Sequence, residues 1–542
     1  MTGDTRAVEW PPDYPPAWSG VPKTTVSEFL ARCFALGGDS SAVVFDDGFE
    51  ISFAGLRDRI ERLAGYLARC ISPGDRVALA IGNRAEYLIA YFAIIAARGI
   101  AIPMSPGVGP VDSAHMVNEG RCVLVFADGD AADVLGGIEA PSLREVIRLS
   151  GDEPDGLAAL YRDGVRLALA DVAADAGEVV EMGFTSGTTG LPKGLAYKHL
   201  SLLRYVDVGI RTREFTREDR ILLPLQFHYG DPVTLSMASW ACGAASVVMR
   251  KFSVSRFWDV ARRSGATMLY SIGSIPNLLL TAPAGPGDRE HGIRFATSVA
   301  VPKHQHRELN ERFGFPWYDV YGSSEAGPAL ATPRAFAEQF VGTGAVGIPY
   351  PEVEARLVDQ EGNVVHGVGE GELELGGEIL FDGYLDNPAA TESVLHHGYY
   401  RSGDLMRRDE RGMYYFLGRS KELIRRGGEN IAPAEVEATL RLHDEVVDAA
   451  VVPVEDDIRG EEVLAYVQVE VNRPDLPAEL AEFCAERLAP FKVPRYIKIR
   501  LEPFPRTPSQ RIQKQSLKVD GRHDSADAWD RGSAATSRTS GV

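Results

Sequence analysis

The run Phe184-Thr185-Ser186-Gly187-Thr188-Thr189-Gly190-Leu191-Pro192-Lys193-Gly194 holds the chain's densest ligand-binding chemistry. Four hydroxyl residues are interspersed with glycines, whose backbone adopts positive φ and comes close to a ligand. Unpaired N–H groups and hydroxyls then converge on an anion, and Lys193 adds the point charge that dipoles lack. A triphosphate is the natural guest. The run is not a Walker loop, since Leu-Pro-Lys-Gly follows Gly190 where Gly-Lys-Ser/Thr would be needed. The competing interpretation is a Gly/Ser/Thr-rich surface loop, and the length of the ordered pattern argues against it.

Two later stretches suit the rest of a nucleotide. Tyr321-Gly322-Ser323-Ser324-Glu325 follows an apolar strand. Glu325 is a Mg²⁺-ligand candidate, because one carboxylate beside nucleotide phosphates is a common arrangement for that ion. Tyr321 can lay its ring against a base. In Tyr400-Arg401-Ser402-Gly403-Asp404-Leu405 the carboxylate of Asp404 can accept both hydroxyls of a ribose; a solvated turn aspartate is the alternative. Phe227-His228-Tyr229-Gly230-Asp231-Pro232 sets rings beside one acid, which suits a substrate pocket. It equally suits a strand end where Asp231 caps the next helix and Pro232 opens it.

These groups need a scaffold, and composition bounds it. At 542 residues the chain is too long for one core, so two or more domains are expected. The balance of 57 basic and 76 acidic residues, net −19, argues against nucleic-acid or anionic-membrane binding. Cys33, Cys70, Cys122, Cys242 and Cys484 are dispersed without a C-x-x-C pair, which suggests reduced thiols and a cytoplasmic location. The N-terminal stretch lacks the basic-then-apolar order of a signal peptide. The apolar run Tyr87 to Met104 is broken at Arg98-Gly99 and reads as a buried helix, not a membrane span.

Periodicity predicts helices over Thr25–Leu36, Phe53–Cys70 and Ala85–Ala97. Strands are expected at Ser41–Phe45, Glu50–Phe53, Arg76–Ile81, Ile100–Pro103, Cys122–Ala127 and Val146–Leu149, the first two a hairpin around Asp46-Asp47-Gly48. Strand, helix, strand at these lengths is a βαβ unit and implies a parallel sheet. Further on come a helix over Tyr197–Arg211, a strand over Arg220–Leu225, a helix over Val233–Trp240, and strands over Thr267–Ser271 and Phe295–Val301. Beyond Gly418, a helix over Pro433–Leu440, strands over Val446–Val454 and Val463–Val471, and a helix over Pro477–Leu488 make a small α+β domain. The fold class expected is α/β, a large multi-sheet N-terminal domain plus a small α+β one. The boundaries are an extension over 1–24, domains over 25–418 and 419–519, and a Ser/Ala/Gly/Asp-rich tail over 520–542 that should be disordered.

Taken in order, the loop Phe184–Gly194, Tyr321–Glu325, Gly371-Glu-Leu-Glu-Leu with Gly383-Tyr384, Tyr400–Leu405 and Gly418-Arg419-Ser420-Lys421-Glu422-Leu423-Ile424 resemble the AMP-forming adenylating enzymes. That superfamily includes acyl-CoA synthetases, peptide-synthetase adenylation domains and luciferases. The resemblance spans roughly Thr25 to Val519. It implies ATP and Mg²⁺ as cofactors, with Thr185, Ser186, Gly187, Thr188, Thr189, Gly190 and Lys193 on the phosphates. Glu325 and Thr185 serve the metal. Tyr321, Gly322, Ser323 and Ser324 border the adenine, and Asp404 and Arg419 take the ribose. Lys421 falls at the family's domain hinge, and the resemblance implies that the small α+β C-terminal domain is mobile about it. The acid becomes an acyl-adenylate and is then passed to a thiol.

One departure concerns catalysis. Where the family has Pro-x-Thr-x-x-Gly-Lys-Ile, this chain reads Pro505-Arg506-Thr507-Pro508-Ser509-Gln510-Arg511-Ile512-Gln513-Lys514. Arg511 keeps the charge but is not an equivalent donor; either it acts, or Lys514 swings in, or adenylation is slow, and a nucleotide binder without chemistry stays open. A second departure is Val299-Ala300-Val301-Pro302, where many relatives have Gly-Gly-Ala-Pro. For the acid, relatives that activate amino acids carry an aspartate at the segment Phe227 to Asp231 to pair the ammonium. An isolated carboxylate among rings is costly without a cation, so Asp231 favours an ammonium-bearing acid, with Ser298 and Arg334 helping to choose its side chain. The stretch Phe252–Trp258 is similar to carnitine-type CoA ligases and to enzymes that load β-amino acids onto carrier proteins. The expected partners are an amino acid and a phosphopantetheinyl carrier protein, with coenzyme A and a carnitine-like or other acyl acid as the alternative.

Overall fold

In the computed structural model the chain is described over residues 6–149, 156–161, 163–185, 193–378, 380–426, 429–456, 459–506, 512–519 and 527–531. It divides into two compact units. One comprises Val8–Ala355 with Leu375–Arg401, the other Met1–Ala7, Arg356–Glu374 and Ser402–Val542. The second unit therefore begins ahead of residue 419 and takes in the antiparallel pairing of Asp404 with Arg419 and of Arg408 with Tyr414.

The larger unit contains parallel sheets. Ser41–Phe45, Ala245–Val248, Arg220–Leu223, Met268–Ile272, Phe295–Val299 and Trp317–Ser323 are neighbours in parallel. A second sheet runs Glu145–Leu149, Leu124–Asp128, Arg76–Ala80, Ile100–Pro103 and Val179–Thr185, again parallel, and ends on the antiparallel strand Lys193–Lys198. The helix Ala85–Ala96 is buried at every position, as expected of a helix that is apolar all round. Its Tyr87 ring stacks 5.2 Å from Phe227 and its Tyr91 hydroxyl donates to Glu181 on Val179–Thr185, so it touches chemistry on both sheets.

Local signals account for many element ends. Thr25 caps Val26–Gly37 by accepting the Glu28 N–H, and Ser52 caps Phe53–Cys70 by accepting that of Gly55. The helix after the phosphate loop spans His199–Arg213, two residues later than its periodicity suggests, because Lys193–Lys198 is taken up as a strand.

In the smaller unit Val446–Asp456, Gly460–Val469 and Tyr496–Arg500 form a sheet with helices Pro433–Leu440 and Leu476–Ala485 on one face. Alternation is clear along the first strand. Ala449 and Val451 join the core of Val436, Leu440, Leu480 and Ile497, while Ala450, Val452 and Val454 face Tyr466, Phe504 and Leu517. Disorder of the tail is corrected over residues 527–531. Trp529 and Asp530 pair antiparallel with Ile497 and Tyr496, because Trp529 adds apolar area to that core.

Candidate active site

Antiparallel pairing flanks the phosphate-loop segment: Phe184 pairs with Gly194 and Thr185 with Lys193. Residues Ser186, Gly187, Thr188, Thr189 and Gly190 lie outside the described residues. The returning strand is held from below, as Ala196 N–H donates to Gly383 O and Leu385 N–H to Gly194 O. That brings Tyr384 beside the strand Lys193–Lys198. Lys193 Nζ stands 5.4 Å from the centre of the Tyr384 ring, and the Tyr384 hydroxyl donates to Glu325 Oε1 at 3.2 Å. One ring thus joins the cation of the loop to the metal-ligand candidate. Glu325 is half-buried and its main chain is pinned, its carbonyl accepting from Phe381 N–H.

Glu325 follows the strand Trp317–Ser323, which carries Tyr321, Gly322 and Ser323. A Cβ on Gly322 would lie 2.5 Å from Gly327 O, so only glycine permits this approach to the next strand. Ser323 Oγ accepts from Ala326 N–H, and Ser324 O accepts from the Tyr197 hydroxyl at 2.8 Å. Upstream, buried Asp319 accepts the N–H groups of Ala300 and Val301 at 3.1 and 3.2 Å. Burial pushes its pKa well up, against those amide bonds. It clamps the turn in which Ala300 adopts φ +63°, a conformation that strains a non-glycine residue.

The acid-and-rings segment forms a second centre. Asn83 fixes its approach, donating to Leu225 O and Met249 O and accepting from Phe227 N–H at 2.7 to 2.8 Å. Phe227 itself is buried. Gly230, at φ +82°, caps the helix Asp231–Ala241, and Asp231 is its first residue. The Asp231 side chain makes no cap. Its Oδ2 instead accepts the Tyr270 hydroxyl at 2.7 Å. Asp231 is open to solvent, yet protein surrounds it broadly enough that burial raises its pKa, opposed by the Tyr270 bond and the charge of Arg213. Among the described residues no cation forms an ion pair with it. His228 has both ring nitrogens buried without a partner, and burial lowers its pKa to about 4, so it is neutral near pH 7.

Ser298 is fully buried against Ser271, the hydroxyls 2.9 Å apart, so a substrate reaches it only if that pair parts. Arg334 donates to Thr212 O and Arg213 O at the end of His199–Arg213 and lies 4.1 Å over the Phe295 ring. In the smaller unit, Asp404 is 2% exposed and meets Arg419 at 2.7 Å, while Arg419 also donates to Ser402 O. Lys421 sits on the turn Ser420–Glu422. Lys514 Nζ lies 2.7 Å from Glu437 Oε1 and 3.2 Å from Glu422 Oε2. Burial works against its charge, but the two carboxylates prevail and raise its pKa. Arg511 lies outside the described residues.

Asn83, Arg213 and Tyr270 carry no local motif; each reaches the acid-and-rings segment from a distant element.

The family of AMP-binding enzymes matches residues 31–385, and the AMP-binding enzyme C-terminal domain matches residues 435–511. The crotonobetaine/carnitine–CoA ligase of Salmonella heidelberg is 28% identical over 503 residues, covering 89% of this chain and 96% of the ligase. ATP-bound MatB from Rhodopseudomonas palustris is similar with a TM-score of 0.82 at 26% identity, covering 92% of this chain and 99% of MatB. The o-succinylbenzoate CoA synthetase MenE from Bacillus subtilis, in complex with the acyl-adenylate OSB-AMP, shares the fold with a TM-score of 0.80 at 24% identity, over 91% and 98% of the chains. The chain belongs to the AMP-binding enzyme family and is an ATP-dependent, AMP-forming ligase that passes through an acyl-adenylate.

Proposed function

We propose that this enzyme activates an ammonium-bearing carboxylic acid, an amino acid of the β-amino type, and delivers the acyl group to the phosphopantetheinyl thiol of a carrier protein. Asp231 carries the proposal. It is a solvent-open carboxylate with one oxygen held by Tyr270 and no ion pair among the described residues. A carboxylate bounded by protein yet open at one side can receive a cation, and its remaining oxygen is a charge-assisted acceptor for a primary ammonium.

The chemistry is positioning plus charge. A carboxylate oxygen of the acid attacks the α-phosphorus of ATP, and pyrophosphate leaves. Negative charge gathers on phosphoryl oxygens in the transition state, so fixed positive groups accelerate the step. Lys193 and the loop from Thr185 to Gly190 are assigned to the β- and γ-phosphates. Glu325 fits Mg²⁺: its Oε1 takes the Tyr384 hydroxyl, and one carboxylate plus substrate oxygens is the usual protein share for this ion. Bound there, Mg²⁺ neutralises phosphate charge. Tyr321 with Gly322, Ser323 and Ser324 serves the adenine, Asp404 and Arg419 the ribose, and the turn at Lys421 the domain hinge. The two carboxylates on Lys514 support a structural task for it, which leaves Arg511 as the catalytic cation of the smaller unit.

The CoA-ligase relatives support a second reading in which coenzyme A is the acceptor and the acid is carnitine-like. Carnitine and crotonobetaine are quaternary ammonium acids, so a cation beside Asp231 is common to both. A quaternary ammonium cannot donate a hydrogen bond and relies on aromatic faces. The test is a competition between coenzyme A and a phosphopantetheinyl carrier protein, with ATP and a set of β-amino and trimethylammonium acids, read by intact mass. A mass gain of one aminoacyl group on the carrier supports the proposal; acyl-CoA as the product, with no carrier loading, overturns it.

A further inference from the structure

Arg213 is a buried cation without a local counter-ion. It ends the helix His199–Arg213 and is 6% exposed. Its Nη2 donates to Thr297 Oγ1 at 2.7 Å, while its buried Nε has no hydrogen-bond partner. No carboxylate of the described residues lies within ion-pair distance. Burial lowers its pKa, as isolation predicts. Desolvating a guanidinium is costly, so a cation placed this way calls for a recipient of its field. Its guanidinium carbon stands 5.7 Å over the ring of Tyr270, whose hydroxyl is the donor to Asp231.

We propose that Tyr270 and Arg213 are positioning residues of the acyl pocket: the Tyr270 hydroxyl aims the Asp231 carboxylate, and Arg213 behind the ring holds it as the anion that receives an ammonium. The inference rests on the ammonium reading of Asp231. A cation over the Tyr270 ring polarises its hydroxyl toward a better donor. Asp231 also opens the helix Asp231–Ala241, where the N-terminal dipole favours negative charge. Dipole, hydroxyl and guanidinium together oppose the burial that would protonate this carboxyl.

The titratable groups facing Asp231 are Tyr270 from Met268–Ile272, Arg213 and Tyr205 from His199–Arg213, and Tyr197 from Lys193–Lys198. Burial pushes all three tyrosines far up, and His228 nearby stays neutral above about 4. Glu181, which acts on Tyr197 and Tyr205, changes charge near pH 7, so the profile is read below pH 6.

The test compares a β-amino acid with its des-amino counterpart in pyrophosphate release from pH 5 to 8, for wild type, Tyr270→Phe and Arg213→Gln. Tyr270→Phe removes only the hydroxyl. It raises the KM of the ammonium acid about tenfold, the loss of one hydrogen bond to a charged group. The kcat, the KM of ATP and the KM of the des-amino acid stay near wild type. In both variants the acid limb of kcat/KM for the ammonium acid moves to higher pH. An unmoved limb in Tyr270→Phe, with wild type still preferring the ammonium acid, overturns the inference even if Arg213→Gln fails to fold. A wild type that handles both acids alike overturns the Asp231 reading, and this inference with it.

Discussion

Asp231→Asn separates charge from shape at the centre of the acyl pocket. The amide keeps the size of the carboxylate and its carbonyl still accepts the Tyr270 hydroxyl, so the first turn of Asp231–Ala241 stays as it is. What disappears is the attraction for an ammonium. At about 4 Å and an effective dielectric of about 20, that attraction is about 4 kcal/mol. Asp231 is open to solvent, so roughly half is screened away. About 2 kcal/mol remains, a fall of roughly 30-fold in kcat/KM for the ammonium acid. The assay is steady-state pyrophosphate release with a β-amino acid, its des-amino counterpart and ATP varied in turn. The KM of ATP and the kcat/KM of the des-amino acid should hold within a factor of about 2. A change of less than about threefold for the ammonium acid, or equal losses for both acids, refutes the charge argument.

Glu181 is 6% exposed and accepts from Tyr91; burial, opposed by that bond, raises its pKa from 4.5 to about 7. The folded state keeps the proton that the unfolded chain releases, so stability falls as pH rises from 4.5 to 7. Glu181→Gln should gain up to about 3 kcal/mol at pH 8 and nothing at pH 4.5, seen as a pH-dependent rise in thermal midpoint. His199 runs the other way. It is 1% exposed, accepts from Val26 N–H at 3.0 Å, and burial lowers its pKa from 6.5 to about 4. Its contribution is full above 6.5 and is lost as pH falls toward 4, by up to about 3 kcal/mol; His199→Gln should flatten that acid limb. Asp404→Asn should raise the KM of ATP by roughly 10- to 100-fold, the worth of charged hydrogen bonds to a ribose diol, with the KM of the acid unchanged. Isothermal titration with ATP alone checks this, and unaltered affinity would remove Asp404 from the nucleotide site.

The long periodic elements were legible from the sequence. The helix Phe53–Cys70 and the strand Ile100–Pro103 have the bounds that spacing and turn residues imply. The strand Lys193–Lys198 was not, since Lys-Gly-Leu-Ala-Tyr-Lys lacks β-branched residues and takes its pairing from Val179–Thr185 and from Gly383. Asp231 could be singled out as a chemical group, but not its setting. Its partner Tyr270 is 39 residues away, and Asn83 is 144 residues from the amide it holds. Ser298 shows why strand chemistry is hard to read: Phe295–Thr297 and Ser298 are all buried, so no alternation marks which side chains face a ligand. Arg334 is expected from the sequence to help choose the acid's side chain, yet two backbone carbonyls of a helix end occupy it.

Pyrophosphate exchange into ATP, run on the wild-type enzyme with one β-amino acid and the same acid lacking its amino group, tests the substrate assignment most directly. Exchange that depends on the ammonium, with AMP as the spent nucleotide once a thiol acceptor is added, is the outcome the Asp231 pocket predicts. Equal exchange with both acids, or faster exchange with the acid that has no amino group, would contradict it.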